Sequence, residues 1–306
     1  MSKPPLSQLR PLLARLQDLK RIRTPDTAPR SLAEAGFLRA WGRLNAGAPP
    51  ADVALGEAAR AVAAVELAGI DAAVLGDAGL SPAEVEGVYG RAIRAGGASL
   101  PAATLDALLG AVPEIVRDSA GAGPPAPREF ARLADQPRAG ATHPTKPRLM
   151  LDPPESHADH CYAVAVAAAL LAPLYGSDPA RPFLAGLGHH LHNVWLPDGG
   201  FAGEELLGEH LKPVMDRFTA RALGRLTPAL AAHVRAAFAL LPAPDSPAAQ
   251  AFHAADVLDR VLWMGVYEAA ATFRLAYVMD DLELVHPGPT QAFLNEVLVS
   301  AGVWPR

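Results

Sequence analysis

Cysteine appears once in these 306 residues, at Cys161. A single thiol excludes a disulfide framework within the chain and any sulfur-rich metal site. Such sparse use is that of a cytoplasmic protein. Positive charge is also short. The net charge is −5, so no general basic field draws nucleic acid or an anionic membrane, and a nucleic-acid role would need a local patch. The most apolar stretch, CYAVAVAAALLAPLYG, reads as too short to span a bilayer and is interrupted by Pro173. The segment MSKPPLSQLRPLLARLQDLKRIR has neither the apolar core nor the small-residue cleavage site of a signal peptide. Together these absences predict a soluble cytoplasmic chain with no membrane partner.

Aromatic residues make up only 6% of a chain that is 50% hydrophobic. Alanine and leucine supply most of the bulk, which favours helix over strand. No convincing alternating strand pattern occurs, and the fold class expected is all-α. Leu9, Leu12, Leu13, Leu16 and Leu19 have helical spacing over residues 7–21. Ser31 with Glu34, and Ser81 with Glu84, read as capping boxes that open two further helices. Another helix is expected from residue 50, and one over 101–117. Residues 119–127, SAGAGPPAP, form the best linker, and a second polar, proline-containing stretch covers 136–154. Helices are then expected over 156–172, 180–196, 203–219, 227–241, 247–283 and 290–301. The organisation expected is an N-terminal helical domain over 1–120, a linker and loop over 121–155, and a helical domain over 156–306. The first of these carries no legible chemistry; a packing partner or a homo-oligomer surface is its default reading.

Nine of the ten histidines lie between His143 and His253. PPESHADHCYAVA carries His157 and His160, AGLGHHLHN carries His189, His190, His192 and Asn193, and AFHAADVLD carries His253 and Asp256. Residues three or four apart share a helix face. Three helices therefore each present groups that can ligate a metal beside an apolar stripe, as in helical bundles that hold ions. Imidazole and carboxylate donors suit Mn, Fe, Co, Ni or Zn.

These three motifs, in this order, resemble those of the HD-domain metal-dependent phosphohydrolases over residues 145–283. That family's first helix reads P-E-S-x-A-(E/D)-H-S-Y, its second L-x-H-D, and a later helix A-D-x-L. The resemblance implies His160, His189 and Asp256 as ligands of one divalent ion. The name-giving His-Asp pair is here His189-His190. Either His190 stays a ligand, giving three imidazoles and one carboxylate, or the site has decayed and the domain binds without turnover. The nucleotidase-like branch places carboxylates where this chain has Asn193 and Asp198. That leaves Asp198 to orient or deprotonate the attacking water, with Glu204 and Glu205 as alternatives. Arg148 falls in the loop where relatives hold phosphate. The activity implied is hydrolysis of a small phosphate ester, a nucleotide first among them. The alternative is a silent module that binds a nucleotide or a protein partner.

Overall fold

The computed structural model describes residues 6–119 and 123–305. The N-terminal half holds seven helices: α1 (Leu6–Leu16), α2 (Leu32–Asn45), α3 (Pro50–Glu66), α4 (Ala72–Asp77), α5 (Pro82–Gly96), α6 (Ala102–Gly110) and α7 (Val112–Asp118). A short α8 (Arg132–Asp135) leads to a hairpin of β1 (Ala141–His143) and β2 (Lys146–Leu149). The remainder is α9 (His157–Leu171), α10 (Ala180–Gly188), α11 (Gly200–Leu207), α12 (Leu211–Leu223), α13 (Pro228–Phe238), α14 (Pro247–Glu268) and α15 (Gln291–Ala301). The fold is all-α, as the composition predicts.

Local chemistry accounts for most boundaries. Ser31 and Ser81 each accept from the backbone of a glutamate three residues on, whose side chain accepts in return. Ser156 and Asp159 close a third such box at the start of α9. The helix expected over 101–117 breaks at Ala111, ahead of Pro113, and the one expected over 203–219 breaks at Gly208. The hairpin is a correction: its segment, ATHPTKPRL, has two prolines that hide any alternation.

Every residue of α9 is buried. It is the axle of the molecule, with α10, α14, α2 and α3 packed around it. With its 3-10 extension to Tyr175 this helix reaches 19 residues, so it is in fact long and apolar enough to cross a membrane. Here, however, 83% of that window is buried in the core. Meanwhile α1 packs on α14 and α15. One apolar core therefore runs through both expected domains, from Leu6 to Val303. Residues 120–122 of the expected linker lie outside the described residues.

The crossing of α9 and α10 depends on Gly186. A Cβ there would stand 2.8 Å from the backbone N and Cα of Ala165, which cannot swing aside as a side chain can. Gly186→Ala is expected to destabilise the fold by about 1–3 kcal/mol through overpacking, measured by urea unfolding. An unchanged midpoint would mean that the two helices separate freely.

Candidate metal centre

Three elements meet at one end of the axle. His160 lies in the second turn of α9. His189 and His190 follow α10, which ends at Gly188 and tightens into a 3-10 turn over Leu191–Val194. Asp256 and Asp259, three apart, share a face of α14. Because α10 stops where it does, helical periodicity no longer pairs His189 with His192. His190 packs against His189 instead, with ring centroids 4.2 Å apart.

His160 Nε2 lies 3.1 Å from His189 Nε2 and 3.2 Å from Asp256 Oδ1. His189 Nε2 is 3.9 Å from the same oxygen. One ring nitrogen from each of His160, His189 and His190 falls within 4.8 Å of the others. Their partners assign the tautomers. Nδ1 of His160 faces Asp259 Oδ2 at 2.8 Å, Nδ1 of His189 the Gly186 carbonyl at 2.8 Å, and Nδ1 of His190 the Asn193 side-chain oxygen at 3.0 Å. With each Nδ1–H donating outward, Nε2 of His160 and Nε2 of His189 are left facing one another and the Asp256 oxygen, with the His190 ring beside them. Such acceptors repel one another unless a cation lies among them. Two donors each about 2.1 Å from one ion stand about 3.0–3.4 Å apart, close to two of the three separations here. This buried group of histidines and aspartate could hold a metal ion, and the outer acceptors orient its ligands as at known metal centres.

Burial, then the neighbouring His160, lowers the His189 pKa to about 3. Burial, then His189 and His157, hold His190 far below its usual value. Both rings are therefore kept neutral, the form that ligates. Burial alone would raise the Asp256 carboxyl, but the neighbouring His160, His189 and Arg260 outweigh it and hold Asp256 low.

Beneath the cluster lies a second group, Glu155, His160 and Asp259, with the right spacing for a metal. Lys20 already occupies it. Its ammonium, fully buried, stands 2.6 Å from Glu155 Oε1 and 2.8 Å and 2.9 Å from the two Asp259 oxygens. Glu155 in turn accepts from Arg138 Nη1 at 2.9 Å. One lysine from the N-terminal segment thus braces both the carboxylate behind His160 and the carboxylate behind Arg138. Lys20 ends the 3-10 turn that follows α1, seven residues after Leu13 and four after Leu16. A cation on an apolar face was the only sequence signal for it.

A cleft of about 250 Å³ opens beside the cluster, lined by His189, His190, Asp256, Arg138, Arg260 and Glu204 among others. Arg138, bonded to Glu155, and Arg260, which donates to the Leu284 carbonyl, are the arginines among its lining residues. Arg148, expected in that role, lies exposed on β2 and donates to the Gly199 carbonyl at 3.2 Å, away from the cleft lining. Asp198 does line the cleft, yet its oxygens accept from the backbone N–H of Ala139 at 2.9 Å and of Gly200 at 2.8 Å. Burial opposes its ionisation, but His157 and the Ala139 amide outweigh burial and hold the carboxyl well below the usual range. That carboxylate anchors loops and is a poor proton acceptor. Glu204 has the opposite character, raised by burial and then by Asp198 and Glu205. His253 turns away from Asp256 to the Leu240 carbonyl, 3.1 Å from its Nε2.

Burial, followed by His157, lowers His192 to about 4, and burial, followed by Arg260, lowers His286 to about 4. A group whose folded pKa is depressed takes up its proton first in the unfolded chain, near pH 6.5 for histidine. Stability is therefore present above that pH and falls as pH drops towards 4, by up to about 1.4 kcal/mol per pH unit for each such ring. Thermal unfolding between pH 7.5 and 5 is expected to show a falling midpoint. A flat profile would contradict neutral buried histidines.

No protein-family model, curated protein or solved structure matches this chain.

Proposed function

We propose that the chain is a metal-dependent phosphohydrolase of the HD type, acting on a small phosphate ester, with nucleotides as the first class to test. One observation carries the reading: His189 and Asp256, with the buried His160 3.1 Å and 3.2 Å behind them, line a cleft that two arginines, Arg138 and Arg260, also line. His160, His189, His190 and Asp256 would hold one divalent ion. Three imidazoles and a single carboxylate favour Mn, Fe, Co, Ni or Zn over Mg or Ca. Such an ion supplies a Lewis acid and a fixed positive charge.

The protein groups do the rest. The forks of Arg138 and Arg260 suit the non-bridging oxygens of a phosphoryl group and the charge that grows on them. Glu204, with its raised carboxyl, takes the proton-transfer role in place of Asp198. The engagement of Asp198 by two backbone amides favours a second reading, binding without turnover, since the family's expected base is not free. Protein purified without a histidine tag should contain about one transition ion per chain. It should release inorganic phosphate from at least one nucleoside monophosphate in a panel run with Mn, Co, Ni and Zn, and a chelator should stop it. Nucleotide binding with no phosphate release under any metal would select the silent module; no ion and no release would sink the metal reading.

A further inference from the structure

A second cleft, sharing no lining residue with the metal centre, opens in the N-terminal half and measures about 830 Å³. Four arginines converge on its walls: Arg39 and Arg43 from α2, Arg60 from α3 and Arg117 from α7. Their partners are unevenly shared. Arg39 grips the buried Glu57 carboxylate through Nε at 3.0 Å and Nη2 at 2.6 Å. Arg43 takes two carboxylates, Glu114 and, at 3.1 Å, Asp118. Asp71 is engaged at the start of α4, where it accepts from the Val74 amide at 2.9 Å.

Arg60 is left with little. Its side chain is only 13% exposed, and the nearest carboxylate oxygen, on Asp118, is 3.9 Å away and already bonded to Arg43. Its Nη atoms make long contacts to the Ile115 carbonyl at 3.3 Å and the Ser119 hydroxyl at 3.5 Å. Its Nε is buried with no partner among the described residues. Arg117 stands exposed at the rim, with no ion pair to a carboxylate among the described residues. A guanidinium carried into the interior beside two others is unfavourable unless an anion compensates it. Burial and the Arg39 charge do in fact weaken the hold of Arg60 on its proton.

We propose that this cleft binds the phosphate group of a small molecule between Arg60 and Arg117, with Arg43 as the inner wall. Planar guanidinium forks match phosphate oxygens, and Leu38, Ala48 and Pro125 offer an apolar bed for an uncharged remainder. The inference does not depend on the metal reading.

Isothermal titration of chelator-treated protein tests it, with inorganic phosphate, pyrophosphate and a nucleoside monophosphate as probes. One saturable site per chain is expected. Tighter binding of the two inorganic anions identifies a free-phosphate site, and tighter binding of the nucleotide identifies an organic phosphate. Arg60→Gln and Arg117→Glu should each weaken the site at least tenfold, while Arg260→Gln, in the other cleft, should leave it intact. Should Arg60→Gln fail to fold, Arg117→Glu at the exposed rim carries the test. Absence of binding in the wild type, wild-type affinity in the arginine variants, or loss in Arg260→Gln alone would overturn the proposal.

Discussion

Lys20→Met is expected to lower the unfolding free energy by about 3–5 kcal/mol, the range for removing one partner of a buried ion pair. The ammonium has no solvent exposure and holds two carboxylates, Glu155 and Asp259, that are themselves nearly inaccessible. Methionine keeps much of the stem's bulk and its packing beside Trp263, where the lysine nitrogen sits 4.8 Å from the ring centroid. It removes the charge alone. The sign of the pH dependence makes the result specific. In the wild type, burial works against ionisation of Asp259, and Lys20 outweighs it, so the carboxyl is held below its ordinary value. Without the lysine, burial is opposed chiefly by His160 at Asp259 and by Arg138 at Glu155, and the folded-state carboxyls rise relative to the wild type. A folded-state carboxyl higher than in the wild type costs the variant stability as pH rises, so the gap from wild type should be widest near pH 7.5 and narrow towards pH 4.5. Urea unfolding at both pH values measures it. A gap below about 1 kcal/mol at pH 7.5 would show that the buried ammonium is dispensable.

Lys20 also marks the limit of what could be read without a structure. The capping boxes at Ser31 and Ser81 were legible because every group in them lies within four residues. The order of His160, His189 and Asp256 was legible as a pattern, and the structure brings these three within 3.1–3.9 Å of one another. What supports them was not legible, because it comes from far along the chain. Lys20 and Asp259 are 239 residues apart, and Arg138 is placed by Glu155, 17 residues on. Asp259 carried a faint signal, three residues beyond Asp256 on the same helix face. The expected roles of Asp198 and Arg148 came from motif position, which says nothing about the hydrogen bonds already made. Asp198 meets the amides of Ala139, two residues before the hairpin, and of Gly200 at the start of α11, while Arg148 on the hairpin that its prolines concealed meets a carbonyl. Asn193 shows the reverse. As a replacement for a carboxylate it looked like a loss, yet its side-chain oxygen fixes the tautomer of His190.

His189→Ala is expected to reduce bound transition metal from about one ion per chain to less than a tenth, and His160→Ala should do the same. The two variants together locate the ion. His160 belongs to both groups of residues with metal-ligand spacing, so its loss alone cannot separate them. His189 belongs to the upper group only. In the lower group Lys20 already donates to both Glu155 and Asp259, and a divalent cation placed there would meet a buried ammonium at short range. Charge therefore favours the upper group, where His189 and His190 are held neutral and no ammonium stands among the ring nitrogens. Asp259→Ala should give an intermediate result. It leaves every upper donor in place but removes the acceptor that orients His160, a kind of change that weakens metal binding by about 10–100-fold. Competition against a chromophoric chelator at pH 7.5 would rank the variants, with circular dichroism to show that each is folded. A folded His189→Ala variant that keeps its full ion, while His160→Ala loses it, would put the metal among Glu155, His160 and Asp259 and remove the basis for a cleft-facing catalytic centre.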